Sequence, residues 1–188
     1  MSGNIKNQIR KEKLVKSSRN IAKTFLEGLY FAMESLGESH ASRFSIYQSM
    51  RRKCAFSDWN DTRFSRQITG AVRSGYLTIN PSNSVEFTNK AKLKIVDTII
   101  SNNQKDNKIR FISFDIPEVK RSERDGFRRV IKNMGFRQIQ KSLWACDRNV
   151  GELVEIAKSE FGVEKYVVYI VSEKSDIDDH IRKILNNK

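Results

Sequence analysis

The stretch Arg110-Phe111-Ile112-Ser113-Phe114-Asp115-Ile116-Pro117-Glu118 decides how the second half of the chain folds. Its apolar run reads as a buried β-strand over 109–115 that delivers one carboxylate, Asp115, to its end. Proline has no N–H for a strand ladder, so Pro117 stops the strand. The apolar spacing from Lys120 to Lys132 then predicts a basic amphipathic helix over 121–134, closed by Met134-Gly135-Phe136. Further on, the pattern predicts strands over 136–140 and 142–147, a helix over 150–161 and a strand over 165–171. The order βαββαβ is that of a ferredoxin-like domain. Its last strand, Tyr166 to Val171, is almost wholly apolar, as expected where both strand faces are covered by helices or a partner subunit. Two helices cover one face of such a sheet, which leaves the other as the natural surface for a two-fold homodimer. A terminal helix from Asp176 to Leu185 packs Ile177, Ile181, Ile184 and Leu185.

Upstream, Ser101 to Lys108 holds no apolar residue and predicts a linker, so the domains are expected at 1–100 and 109–188 with the linker over 101–108. Leu14, Ile21, Phe25, Leu29, Met33 and Leu36 recur at helical spacing and predict a long first helix ending near Gly37, with a basic arm ahead of it. A second helix fits Ser42 to Met50, with Phe44, Ile46 and Tyr47 available to pack. Asn60 or Asp61 can cap a third, Asp61 to Ser74, which buries Phe64, Ile68, Ala71 and Val72 and turns Thr62, Arg63, Arg66, Thr69 and Arg73 outward. Strands over 76–80 and 84–88 around Pro81-Ser82-Asn83 make a hairpin, and Thr88 caps a fourth helix carrying Leu93, Ile95, Val96, Ile99 and Ile100. That order is a winged helix-turn-helix, whose third helix enters the major groove while the hairpin wing lies against phosphates. The expected fold class is therefore α+β, an N-terminal winged helix-turn-helix followed by a ferredoxin-like βαββαβ domain.

The net charge of +13 over 188 residues creates a field that attracts polyanions, and nucleic acid is the leading partner. Residues 1–107 hold 18 Lys/Arg against 9 Asp/Glu, net +9, whereas 108–188 hold 17 against 13, net +4. No apolar run approaches the ~20 residues a membrane span needs, and the polar, basic N-terminus is unlike a signal peptide. A cytoplasmic protein without a membrane partner is the expectation. Cys54 and Cys146 lack any Cys-x-x-Cys or Cys/His cluster, so packed thiols are expected rather than a zinc site or a disulfide. There is no Gly-rich phosphate loop, which argues against a nucleotide-driven enzyme.

Phe114-Asp115-Ile116-Pro117-Glu118, the basic helix, Gly135-Phe136 and Gln140-Lys141-Ser142-Leu143-Trp144 together resemble the central domain of the phenylacetic-acid degradation repressor (PaaX-like) family. That domain is in turn similar to the small dimeric CRISPR-associated endoribonuclease of ferredoxin-like fold. Both resemblances imply dimerisation through the open sheet face. The first implies a DNA-binding transcriptional repressor, and the second a metal-dependent nuclease. In the endoribonuclease-like family the aspartate ending the first strand is the metal ligand; the matching position is Asp115, with Ser142 on the matching third-strand motif. The resembling repressors continue into a further C-terminal domain implicated in effector response, where this sequence stops, and this argues against a small-molecule effector.

The expectation is a homodimeric regulator that binds double-stranded DNA, without cofactor. Thr62, Arg63, Arg66, Thr69 and Arg73 would read the groove, because a helix face of arginines and threonines without an acid after Asp61 suits both phosphates and base edges. Lys11, Lys16 and Arg19 belong to a basic arm that either grips the DNA backbone or solvates the terminus. The alternative is a nuclease, or a nuclease-like subunit of a CRISPR-type integration complex, in which Asp115 and Ser142 work with Mg2+ or Mn2+. Against that, Asp115 is expected to cap the turn or helix that follows it.

Overall fold

The structure, a computed structural model, describes residues 21–186 except 38–39, 54–55, 103–104 and 175. The basic arm with Lys11, Lys16 and Arg19, and also Leu14 and Cys54, lie outside the described residues. The chain forms two units that divide between Ile95 and Val96.

The N-terminal unit runs α1 (Ile21–Leu36), β1 (His40–Ser42), α2 (Arg43–Lys53), α3 (Asp61–Arg73), β2 (Leu77–Ile79), β3 (Ser84–Phe87) and α4 (Asn89–Lys94). Its strands form an antiparallel sheet in the order β1-β3-β2. This is the winged helix-turn-helix. Helical spacing aligns Phe25, Leu29, Ala32 and Met33 on the buried stripe of α1, and all four are core residues. Phe25 stacks on Trp59 at 5.6 Å, and Phe64 of α3 meets both Phe25 and Tyr47. The short strand β1 is an addition to the sequence expectation; three residues are too few for a periodicity to show.

The expected fourth helix is two helices. Thr88 caps α4 through the N–H of Ala91, but Ile95 leaves helical geometry at φ −113° and ψ 23°. A second helix, α5 (Val96–Asn102), belongs to the C-terminal unit. Arg148 donates to the carbonyl of Ile100 at 2.8 Å and ties α5 to its own unit. The polar stretch 101–108 is therefore not a free linker: 101–102 complete α5, and Lys105–Lys108 begin β4.

The C-terminal unit continues with β4 (Lys105–Phe114), α6 (Arg121–Asn133), β5 (Arg137–Gln140), β6 (Leu143–Arg148), α7 (Gly151–Glu160), β7 (Val167–Ser172) and α8 (Asp178–Asn186). The sheet order β5-β6-β4-β7 is antiparallel throughout, as the ferredoxin-like βαββαβ arrangement requires. Alternation along β4 puts Arg110, Ile112 and Phe114 on one face, where all three are buried, and Phe111 and Ser113 on the other, half-buried. Phe114 meets Phe127 of α6 edge-on at 5.6 Å on the first face. Cys146 is buried there too, and desolvation pushes its thiol up to about 11.

One expectation about the sheet changes and another narrows. The opposite face is not wholly open, because α8 packs against β5 and β6 and closes a small core of Ile109, Ala145 and Ile181 with Phe111, Ile139 and Leu185 around it. The described helices of this chain do not cover β7 on both faces, which leaves the partner subunit of the sequence expectation as the candidate cover. As the edge strand it leaves Val168, Ile170 and Val171 at 58%, 46% and 49% exposure, and Val168 and Ile170 point to the face that α8 only partly covers. Among the described residues no helix is long and apolar enough to cross a membrane.

Candidate nucleic-acid interface

The site on α3 begins with its cap. Asn60 is extended and its Oδ1 accepts from the N–H of Arg63 at 2.9 Å, satisfying one of the helix's orphan donors and contributing about 1 kcal/mol. Phe64 and Ile68, at 5% and 0% exposure, anchor the helix to the core, each worth ~1.5–3 kcal/mol. The anchoring decides which side chains face out. Thr62, Arg66, Thr69 and Arg73 follow the spacing i, i+4, i+7, i+11 and form one exposed stripe roughly 16 Å long.

Members of that stripe differ in what they do inside the protein. Arg66 and Arg73 make no hydrogen bond or ion pair among the described residues, so both guanidinium forks are available for bidentate recognition. The hydroxyl of Thr69 donates to the carbonyl of Ser65 at 2.9 Å, which leaves its oxygen and methyl group outward. Arg63 is engaged: its guanidinium lies over the Trp59 ring at 4.5 Å and 3.6 Å from the carboxylate of Asp58. Gly70 shares the exposed side, and a Cβ built there would meet nothing within 4 Å.

The wing is held from within. Asn80 accepts from the Ser82 hydroxyl at 2.7 Å and from the N–H of Ser84 at 2.9 Å, and its amide donates to Glu86 at 2.9 Å. Asn83 takes a left-handed φ of 58° that closes the turn, a conformation asparagine tolerates better than most residues. From Leu77 to Asn89 the chain has no Lys or Arg. Neutralising charge must come from elsewhere in this unit.

Two further groups stand out, of which Phe44 corrects an expectation: Ile46 and Tyr47 pack into the core as the second helix predicts, and Phe44 does not. Phe44, at the start of α2, is 71% exposed beside Ser42, whose hydroxyl accepts from the N–H of Ser45 at 3.1 Å. Lys90 donates to the carbonyl of Ser74 at 3.1 Å and lies 5.1 Å over the Tyr76 ring, so it neutralises the C-terminal end of α3.

In the C-terminal unit Asp115 and Ser142 line one cleft. The expected cap is not formed. Neither the turn Glu118–Lys120 nor α6 has a side-chain cap, and Asp115 is exposed with its N–H donating to the Tyr166 carbonyl at 3.1 Å. Glu118, the next carboxylate along the chain, is drawn to Arg124 at 2.8 Å and Arg121 at 3.7 Å. The hydrogen bond from Arg124 holds its carboxyl below the usual range. Among the described residues no group of three or more His, Cys, Asp or Glu could hold a metal ion. A lone carboxylate in a cleft with Arg124, Arg128, Lys141 and Lys165 is a poor fit for Mg2+ or Mn2+, which need converging oxygens.

Comparison with known proteins bears on this unit. No curated protein and no solved structure matches the chain. Residues 102–184 match the family model described as the PaaX protein central Cas2-like domain, covering β4 through most of α8. The antiparallel βαββαβ sheet, the strand end at Asp115 and the sequence match agree: residues 102–184 form a domain similar to the PaaX protein central Cas2-like domain.

Proposed function

We propose that the chain is a DNA-binding transcriptional regulator, a repressor that acts in the cytoplasm as a homodimer. The observation that carries this reading is the pair Arg66 and Arg73, two turns apart on the exposed stripe of α3 and without a hydrogen bond or ion pair among the described residues. The third helix of a winged helix-turn-helix lies in the major groove, and a bidentate arginine there discriminates guanine by ~1–3 kcal/mol. Thr62 and Thr69 would contact base edges or thymine methyls from the same stripe. Arg63, already stacked on Trp59, would reach a phosphate rather than a base. Lys11, Lys16 and Arg19 would add counterion release.

Dimerisation would use the β7 side of the sheet, where Val168 and Ile170 are exposed beside half-buried Phe111 and Leu143. A two-fold dimer predicts an inverted-repeat operator with half-sites about 34 Å, or a multiple of it, apart. Hydrolysis at Asp115 is the weaker reading, since the cations around it suit an anion better than a metal.

The test incubates the purified full chain with labelled duplex DNA and RNA, with and without Mg2+ or Mn2+, and scores retention and cleavage together. Retention of duplex DNA without cleavage is expected. Metal-dependent cutting that stops in Asp115→Asn, with binding intact, would replace the regulator by a nuclease.

A further inference from the structure

One cleft in the C-terminal unit is left without a role by the regulator reading. Four segments far apart in sequence meet at the end of the sheet: Asp115 after β4, Arg124 and Arg128 on α6, Lys141 in the β5–β6 turn, and Lys165 ahead of β7. Backbone pairing fixes their meeting, because the N–H of Phe114 reaches the Ser142 carbonyl at 3.4 Å and that of Asp115 the Tyr166 carbonyl at 3.1 Å. The cleft encloses about 650 Å3, the size of a small-molecule site.

Its charges are arranged at a cost to the fold. Arg124 and Arg128 stand one turn apart on α6, a like-charge spacing that opposes helix formation. The Nε atoms of both are buried without a hydrogen-bond partner. Of the cations lining the cleft, Arg124 is the one that pairs with Glu118. Arg128, over the Phe114 ring at 5.5 Å, Lys165, over the Tyr166 ring at 5.1 Å, and Lys141 have no ion pair among the described residues. Against them stands one carboxylate, Asp115.

The balance selects the ligand chemistry. Three uncompensated cations and the Ser142 hydroxyl offer more donors than a carboxylate's two oxygens can use, whereas a phosphomonoester presents three charged oxygens. Asp115 repels an anion close to it, so the ligand must turn a hydroxyl or amino donor toward that side. The half-buried ring of Tyr166 supplies an apolar surface in the cleft for a flat ring.

We propose that this cleft binds a mononucleotide-class ligand, its phosphate held by Arg128, Lys141 and Lys165 and its sugar or base donating to Asp115. The site is independent of DNA binding by α3, and it reverses the expectation, drawn from the sequence, of a protein without a small-molecule effector.

The test is calorimetric titration of the full chain with adenosine 5′-monophosphate, cytidine 5′-monophosphate, ribose 5-phosphate and inorganic phosphate. At least one nucleotide should bind with a dissociation constant below about 1 mM and more tightly than inorganic phosphate. Lys141→Gln with Lys165→Gln, both at exposed positions, should weaken it at least ~10-fold at unchanged melting temperature. Asp115→Asn should narrow the nucleotide's advantage over phosphate. No binding of either nucleotide, equal binding of inorganic phosphate, or wild-type affinity in the double lysine variant would each overturn the proposal.

Discussion

The guanidinium of Arg63 lies over the ring of Trp59 at 4.5 Å, and Trp59 itself stacks on Phe25 in the core. One arginine of α3 is thus spent on holding the loop before the helix, while Arg66 and Arg73 remain free to bind. Arg66→Ala and Arg73→Ala should each remove about 1 to 3 kcal/mol of discrimination between the preferred duplex and random DNA, measured by competition binding. Arg63→Ala should instead lower folding stability by ~0.5–1 kcal/mol, with sequence preference kept. If Arg66→Ala retained the full preference, α3 would not be the reading helix.

Gly70 separates fold from function. A glycine inside an exposed helix costs ~1 kcal/mol relative to alanine, and no neighbour here requires it. Close approach of the helix backbone to DNA would. Gly70→Ala is expected to raise the unfolding free energy by roughly 0.5–1 kcal/mol while weakening duplex binding several-fold. A variant both more stable and equally tight would remove the close-approach argument.

Asp106 pairs with the buried guanidinium of Arg110, and the hydrogen bond from Arg110 lowers its carboxyl from 3.8 to about 2. Because the folded value is depressed, the stabilisation is fully present above about 3.8 and is lost as pH falls through about 2. Asp106→Asn should melt lower than wild type at neutral pH. It should also show a flatter loss of melting temperature between pH 4 and 2, the window set by those two values. Parallel acid profiles of the two proteins would contradict the pairing.

Val168 and Ile170 on the β7 side of the sheet carry the dimer proposal. Replacing both with aspartate should convert the dimer to a monomer in sedimentation at micromolar concentration and sharply reduce operator affinity, while circular dichroism stays unchanged. A monomeric wild type, or a double variant that still dimerises, would exclude this face.

Where spacing was regular the sequence was informative. The stripe of α3 and the apolar run of β4 are local patterns: Phe64 and Ile68 are buried as expected with Ala71 and Val72 half-buried, and β4 ends at Phe114, directly ahead of Asp115. The break at Ile95 was hidden, because Leu93, Ile95, Val96, Ile99 and Ile100 keep one helical rhythm across the boundary between units. Lys105 to Lys108 looked like linker because their polarity suits solvent. Within β4, Asp106 is instead placed to bond Arg110 four residues on. Asp115 was read as a cap, since a carboxylate ahead of a helix often is one, but Pro117 turns the chain before the helix begins. The cationic cleft could not be seen, because its members lie up to 50 residues apart, from Asp115 to Lys165, and only the sheet order brings them together.

The most direct test of the central claim is the salt dependence of duplex binding by the full chain. Phosphate neutralisation by a dimer carrying two α3 helices and two basic arms predicts a log-log slope of affinity against salt on the order of minus five or steeper. It also predicts a sequence preference that persists at physiological ionic strength. Affinity indifferent to salt between low and physiological strength, or a steep slope with no preference for any duplex sequence, would contradict the account.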